Sequence, residues 1–159
     1  MELRDTRVVG TRPGVTGASD AGVVCLDCTL TGAGLETAAN GGPGLLMVGG
    51  SAWATLQYFI HRGGDADRPG PGVLLQDGAT VDMDYVYLRG PATFGIRGFE
   101  GTNVYMRDIV VVEGIGESAE GFGAMLFEGT GRSTWRACSC SSTGSPPCMS
   151  TPRGSASCR

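Results

Sequence analysis

The 159-residue chain predicts an all-β fold, a parallel β-helix of about four to five coils over residues 1–130, followed by an irregular tail over residues 131–159. Three observations predict it. A glycine-headed unit recurs, with starts at Gly44, Gly72, Gly95 and Gly123 that lie about 28, 23 and 28 residues apart, the period of a solenoid. Within each unit the apolar residues alternate with a spacing of two, as half-buried strands require and helices do not. Glycine fills 28 positions and proline 8, so turns are dense, and each glycine inside a helix would cost about 1 kcal/mol.

Taken in order, Met1–Gly10 ("MELRDTRVVG") matches the back half of a unit, with Leu3 and Val8 on either side of Arg4-Asp5. A looser copy opens at Gly22 ("GVVCLDCTLTG"), with Cys25 at an inward column and Cys28 standing where other copies carry an interior glycine. The copy at Gly44 ("GLLMVGGSAWATLQYFIHRG") turns Leu45 and Met47 inward; aligned from its first glycine, it also brings Trp53 and Tyr58 to core columns and leaves His61 at a loop edge. In the copy at Gly72 the inward residues are Val73, Leu75, Val81, Met83, Val86 and Leu88, and the copy at Gly95 repeats the pattern with Val104, Met106, Ile109 and Val111. The copy at Gly123 starts with Ala124 and Leu126 inward. Interior glycines recur at Gly50, Gly78, Gly101 and Gly129. The alternation slips by one residue at Arg4-Asp5, Asp84-Tyr85 and Arg107-Asp108, where a bend would keep both apolar pairs inside. An antiparallel sandwich also uses short strands, but a chain that returns to one place each period explains why equivalent residues share chemistry at fixed offsets.

The end of the chain, "RSTWRACSCSSTGSPPCMSTPRGSASCR", breaks this pattern. All 12 basic residues are arginine, which suggests a GC-rich gene. Read one nucleotide earlier with GC-rich codons, "RSTWRACSCSST" becomes Val-Asp-Met-Ala-Arg-Val-Leu-Val-Leu-Val-Asp, whose first three residues repeat the opening of the strand at Val81-Asp82-Met83. An out-of-frame translation of further repeats is therefore expected from about Gly131, beside the plainer expectation of a disordered serine-rich tail.

The units "GVLLQDGATVDMDYVYLRG" and "GTNVYMRDIVVVEG", with "LRDTRVVGTRP" at the start, resemble the right-handed parallel β-helix repeats of pectin-lyase-like proteins, and among them the glycine-rich secreted β-helix proteins of high-GC bacteria. The resemblance covers about Met1 to Thr130. It implies a right-handed coil and a secreted or cell-surface setting, and it leaves activity open between lyases, hydrolases, adhesins and passive spacers. The chain opens inside a strand, so an export signal is expected upstream, within a longer protein. Coil ends without polar caps are expected to self-associate.

Net charge is −4, without the clustered cations that a nucleic-acid footprint needs, and no apolar run is long enough for a membrane helix. Asp82 and Asp84 are the candidate catalytic pair for a polysaccharide lyase or hydrolase; flanking inward Met83, they fit a solvated strand face equally well. Asp65 and Asp67, in the loop "HRGGDADRPGPG", are candidate calcium ligands, although the loop lacks a third acid. Tyr85, Tyr87 and Tyr105 point outward and are the candidate carbohydrate-binding face. Cys25 and Cys28 form a C-x-x-C that Cys138, Cys140, Cys148 or Cys158 would have to complete for zinc, and their irregular spacing argues against it. A disulfide is also not expected in a repeat-built core, and no cofactor is called for. The leading expectation is a non-catalytic structural or binding module, with a polysaccharide as its partner; the rival is a fragment of a carbohydrate-active enzyme.

Overall fold

The computed structural model describes residues 1–10, 20–64, 70–89, 95–99, 101–112, 125–127 and 132–141. Its strands alternate short and long. The first coil contributes β1 (Glu2–Arg4) and β2 (Arg7–Val9); the next has short β3 (Val23–Leu26), then β4 (Thr29–Ala33) and β5 (Glu36–Asn40). After these come β6 (Leu45–Val48) with β7 (Trp53–Gly64), β8 (Val73–Gln76) with β9 (Thr80–Arg89), β10 (Ile96–Gly98) with β11 (Asn103–Val112), and β12 (Met125–Phe127) with β13 (Arg132–Ser141). All pairings are parallel. The long strands form one sheet in the order β1-β4-β7-β9-β11-β13, with β2 and β5 continuing beside β7, and the short strands form a second in the order β12-β10-β8-β6-β3. From Val23 to Ile96 the chain comes back to one column three times, which makes a β-solenoid of about three turns without helices among the described residues. The four to five coils read from the sequence counted the partial units at both ends.

The interior is a set of ladders in which each residue stacks on its counterpart one coil away. Ala54, Val81 and Val104 share one column, Leu56, Met83 and Met106 the next, and Phe59, Val86 and Ile109 a third, all almost wholly buried. Leu45, Val73 and Ile96, with Cys25, Met47 and Leu75, face them from the short-strand sheet. Burial of side chains of this size contributes roughly 1.5–3 kcal/mol each, and the ladders concentrate it along one axis.

The slip in alternation is a bend in the left-handed region. Asp5, Tyr58, Tyr85 and Asp108 have φ of 44°, 58°, 56° and 53°, and Gly34 occupies the same column with φ of 68°. A residue there turns the strand without leaving the sheet, so Met83 and Val86 both point inward although an even number of residues, Asp84 and Tyr85, lies between them. The conformation costs an L-residue about 1–2 kcal/mol, which the buried pairs on both sides offset.

The glycines that open the units are required by close approach. A Cβ on Gly44 would overlap His61 Nδ1 and Thr37 Oγ1 and lie 2.8 Å from the carbonyl oxygen of Gly72. The interior glycines Gly78 and Gly101 serve the turn instead, with φ of 84° and 78°.

Four expectations need correction. Trp53 and Tyr58 are not core: they are 46% and 52% exposed. The Gly49-Gly50-Ser51 turn makes the step from β6 to β7 one residue longer than the step from β8 to β9, so Val81 pairs with Ala54 and Val86 with Phe59. His61 is fully buried within β7, which runs on to Gly64. Cys28 immediately precedes β4 as Ala52 precedes β7, and it forms a disulfide with Cys25, closing a turn shorter than its neighbours. At the other end Ile96 pairs with Met125, not Ala124; Arg132–Ser141 lies in register with Asn103–Val112.

Candidate functional site

A groove of about 440 Å³ runs across the outer face of the long-strand sheet, on the half that precedes the bend. The alternation that buries Ala54, Leu56, Val81 and Met83 turns the residues between them outward. Glu2, Thr31, Thr55 and Asp82 form one column of its floor; Arg4, Ala33, Gln57, Asp84 and Arg107 form the other. The five rungs, about 4.8 Å apart, give it a length of roughly 20 Å across the strands.

Its charges are largely internally paired. Arg107 grips Asp84 with two hydrogen bonds, Nη2 to Oδ2 at 2.6 Å and Nε to Oδ1. Arg4 Nε holds Glu2 Oε1 at 2.6 Å. Asp82 has no ion-pair partner among the described residues. Aromatic residues occupy sheet positions on either side of the floor, just outside the groove's own lining. Trp53, two residues before Thr55 on the same face, donates from Nε1 to Thr55 Oγ1 at 3.2 Å. On the other side Tyr58 and Tyr85, consecutive in the bend column, stack with ring centroids 4.9 Å apart and planes 9° apart.

Of the expected site residues, Asp82 and Asp84 both line this groove. They rise from one face of one strand, side by side, and Asp84 is committed to Arg107. Asp65 and Asp67 lie outside the described residues, and among those described no cluster of three His, Cys, Asp or Glu side chains could hold a metal ion. The three tyrosines are outward or partly outward but do not make one platform. Tyr85 sits at the bend, Tyr105 follows Asp82 in a floor column, and Tyr87 lies beyond the bend beside Ile60 and Val110. The aromatic border is instead Trp53, Tyr58 and Tyr85, two of them hidden from the sequence by the one-residue turn. Thr55 and Gln57 were also missed as site residues, since outward polar residues carry no signal until the register aligns them.

Beyond the bend Glu36 pairs with Arg62 at 3.0 Å and with Arg7 at 3.4 Å, a surface network away from the groove. Inside the solenoid, His61 Nδ1 lies 3.0 Å from Thr37 Oγ1, and Nε2 has no hydrogen-bond partner among the described residues. Burial lowers its pKa from 6.5 to about 4, so it is neutral at physiological pH. Enclosed on all sides, it is a structural histidine.

No family model, curated protein or solved structure matches the chain.

Proposed function

We propose that the chain is a non-catalytic binding module of a secreted or cell-surface β-solenoid protein, and that the groove of the long-strand sheet is its carbohydrate-facing surface. The observation that carries the proposal is the groove's composition: a floor of small and hydrogen-bonding side chains between an exposed indole and an exposed stack of phenols. Extended sugars offer the matching chemistry, with hydroxyls for Thr55, Gln57 and Asp82 and C–H faces for an aromatic rim. The rhythm of the rungs also repeats at about 4.8 Å, a length comparable with one sugar unit along a chain. The resemblance of the glycine-headed units to pectin-lyase-like repeats agrees with such a role.

The second reading, a lyase or hydrolase fragment, rests on Asp82 and Asp84 both lining the groove. One experiment separates the two. The protein is incubated with a panel of insoluble polysaccharides, and retention in the pellet is measured together with release of soluble sugar. Retention without release is expected, weakened about tenfold by Trp53→Ala, a typical loss for an aromatic contact. Release that disappears in Asp82→Ala or Asp84→Ala would establish the enzyme instead.

A further inference from the structure

The charge pattern of the groove selects among sugars. We infer that its ligand is a neutral, extended polysaccharide rather than a polyuronate or other acidic glycan, an inference that rests on the binding role proposed above. The lining holds one more carboxylate than guanidinium groups, and both of its arginines already grip carboxylates of the same surface: Arg107 on Asp84, Arg4 on Glu2. An acidic ligand would have to displace one of these contacts to gain a cation. It would also bring its own carboxylates up to Asp82, which has no ion-pair partner among the described residues, and like charges so placed repel. Asp5 and Asp108, in the bend column at the groove's edge, add negative charge of their own.

A neutral glycan meets the opposite situation. Each hydroxyl donates to Asp82 or to Gln57 without a charge to neutralise, and a carboxylate that accepts from a sugar hydroxyl makes a bond stronger than a neutral acceptor does. The ion pairs then serve as rigid floor: Arg107 fixes Asp84, so that the free carboxylate of Asp82 is the polar group left to bind. The ligand would run across the strands, along the stacking axis, because the groove's long dimension crosses β1, β4, β7, β9 and β11.

Calorimetric titration tests this with neutral hexasaccharides built from glucose, xylose, mannose or galactose, set against a hexasaccharide of galacturonic acid, at low and high salt. At least one neutral probe is expected to bind and the acidic one to bind at least tenfold more weakly at low salt, with the gap narrowing as salt screens the repulsion. Asp82→Asn is expected to narrow it too, by weakening the neutral probe and admitting the acidic one. Acidic binding equal to or tighter than neutral binding would overturn the inference while leaving the groove a carbohydrate site. Absence of binding by every probe, with circular dichroism showing the fold intact, would overturn the binding role and the inference together.

Discussion

β7 and β9 lie side by side, paired over nearly their whole length, yet one was readable residue by residue and the other was not. β9 enters from a Gly-containing turn of ordinary length, alternates aliphatic and polar residues, and shows its bend as a slip in the pattern. β7 enters one residue late. That residue inverts the apparent face of every side chain from Trp53 to Tyr58, and what it turns outward is the rim and floor of the groove. In a solenoid, then, turn length decides function as much as strand sequence does, because it sets which columns meet solvent.

The largest expected effect lies in the corner where β7 differs most from its neighbour. The column Thr37, His61, Leu88 is polar in the earlier coils and aliphatic in the later one, and Gly44 leaves the room that His61 fills. Gly44→Ala should destabilise by about 3 kcal/mol in urea unfolding, since the new methyl meets backbone on one side and a buried ring on the other. Gly78→Ala, on the β9 side, should cost only about 1 kcal/mol, the penalty of a left-handed conformation, since the new methyl meets the Gly50 Cα at an ordinary contact distance of 3.4 Å. Equal costs would mean that the corner can yield.

His61 gives the next effect. Its pKa in the folded state lies below the unfolded value of 6.5, so as pH falls the unfolded chain takes up the proton first and stability drops; the loss runs from about pH 6.5 to about pH 4 and approaches about 3 kcal/mol. In His61→Leu, which continues the column of Leu88, that part of the pH dependence should vanish. An unchanged profile in the variant would place the proton elsewhere.

Smaller still is the bend. Tyr58→Asn loses the stack on Tyr85, about 0.5–1.5 kcal/mol, but puts a residue that tolerates positive φ where tyrosine is strained, so the net change should stay within about 1 kcal/mol. A large loss would show that the aromatic stack, and not the backbone, holds the bend.

Much of the fold was legible because its signals are periodic. Glycine spacing gave the coils, alternation gave the ladders of Val81, Met83, Val104 and Met106, and the slips at Asp5, Tyr85 and Asp108 coincide with the positive φ values. What was not legible depends on counting across a turn. Trp53, Tyr58 and His61 were misplaced together by one residue in Gly49-Gly50-Ser51, and Cys28 was misplaced because its turn is short. The site was half legible: Asp82 and Asp84 could be named as outward carboxylates, and charge pairing between bend arginines and acids along the stack could be expected, but that Arg107 of the next coil is the partner of Asp84 is fixed only by register. β13 remains the instructive case. Its register sets Ser133, Trp135, Cys138 and Cys140 opposite Val104, Met106, Ile109 and Val111, so the Val-Asp-Met of the shifted reading frame would fall opposite Val104-Tyr105-Met106. The nucleotide sequence checks this directly: codons incompatible with Val-Asp-Met would leave β13 as an ordinary polar strand.

Trp53 stands beside the groove proposed to bind sugar, and its own fluorescence tests that placement. The chain has two tryptophans, so Trp135→Phe leaves Trp53 as the sole reporter. In that variant we predict red-shifted emission, efficiently quenched by acrylamide, that shifts to the blue and becomes protected as a neutral hexasaccharide is added. Blue-shifted emission that resists acrylamide in the free protein would put the indole in the core and contradict the register on which the groove is built.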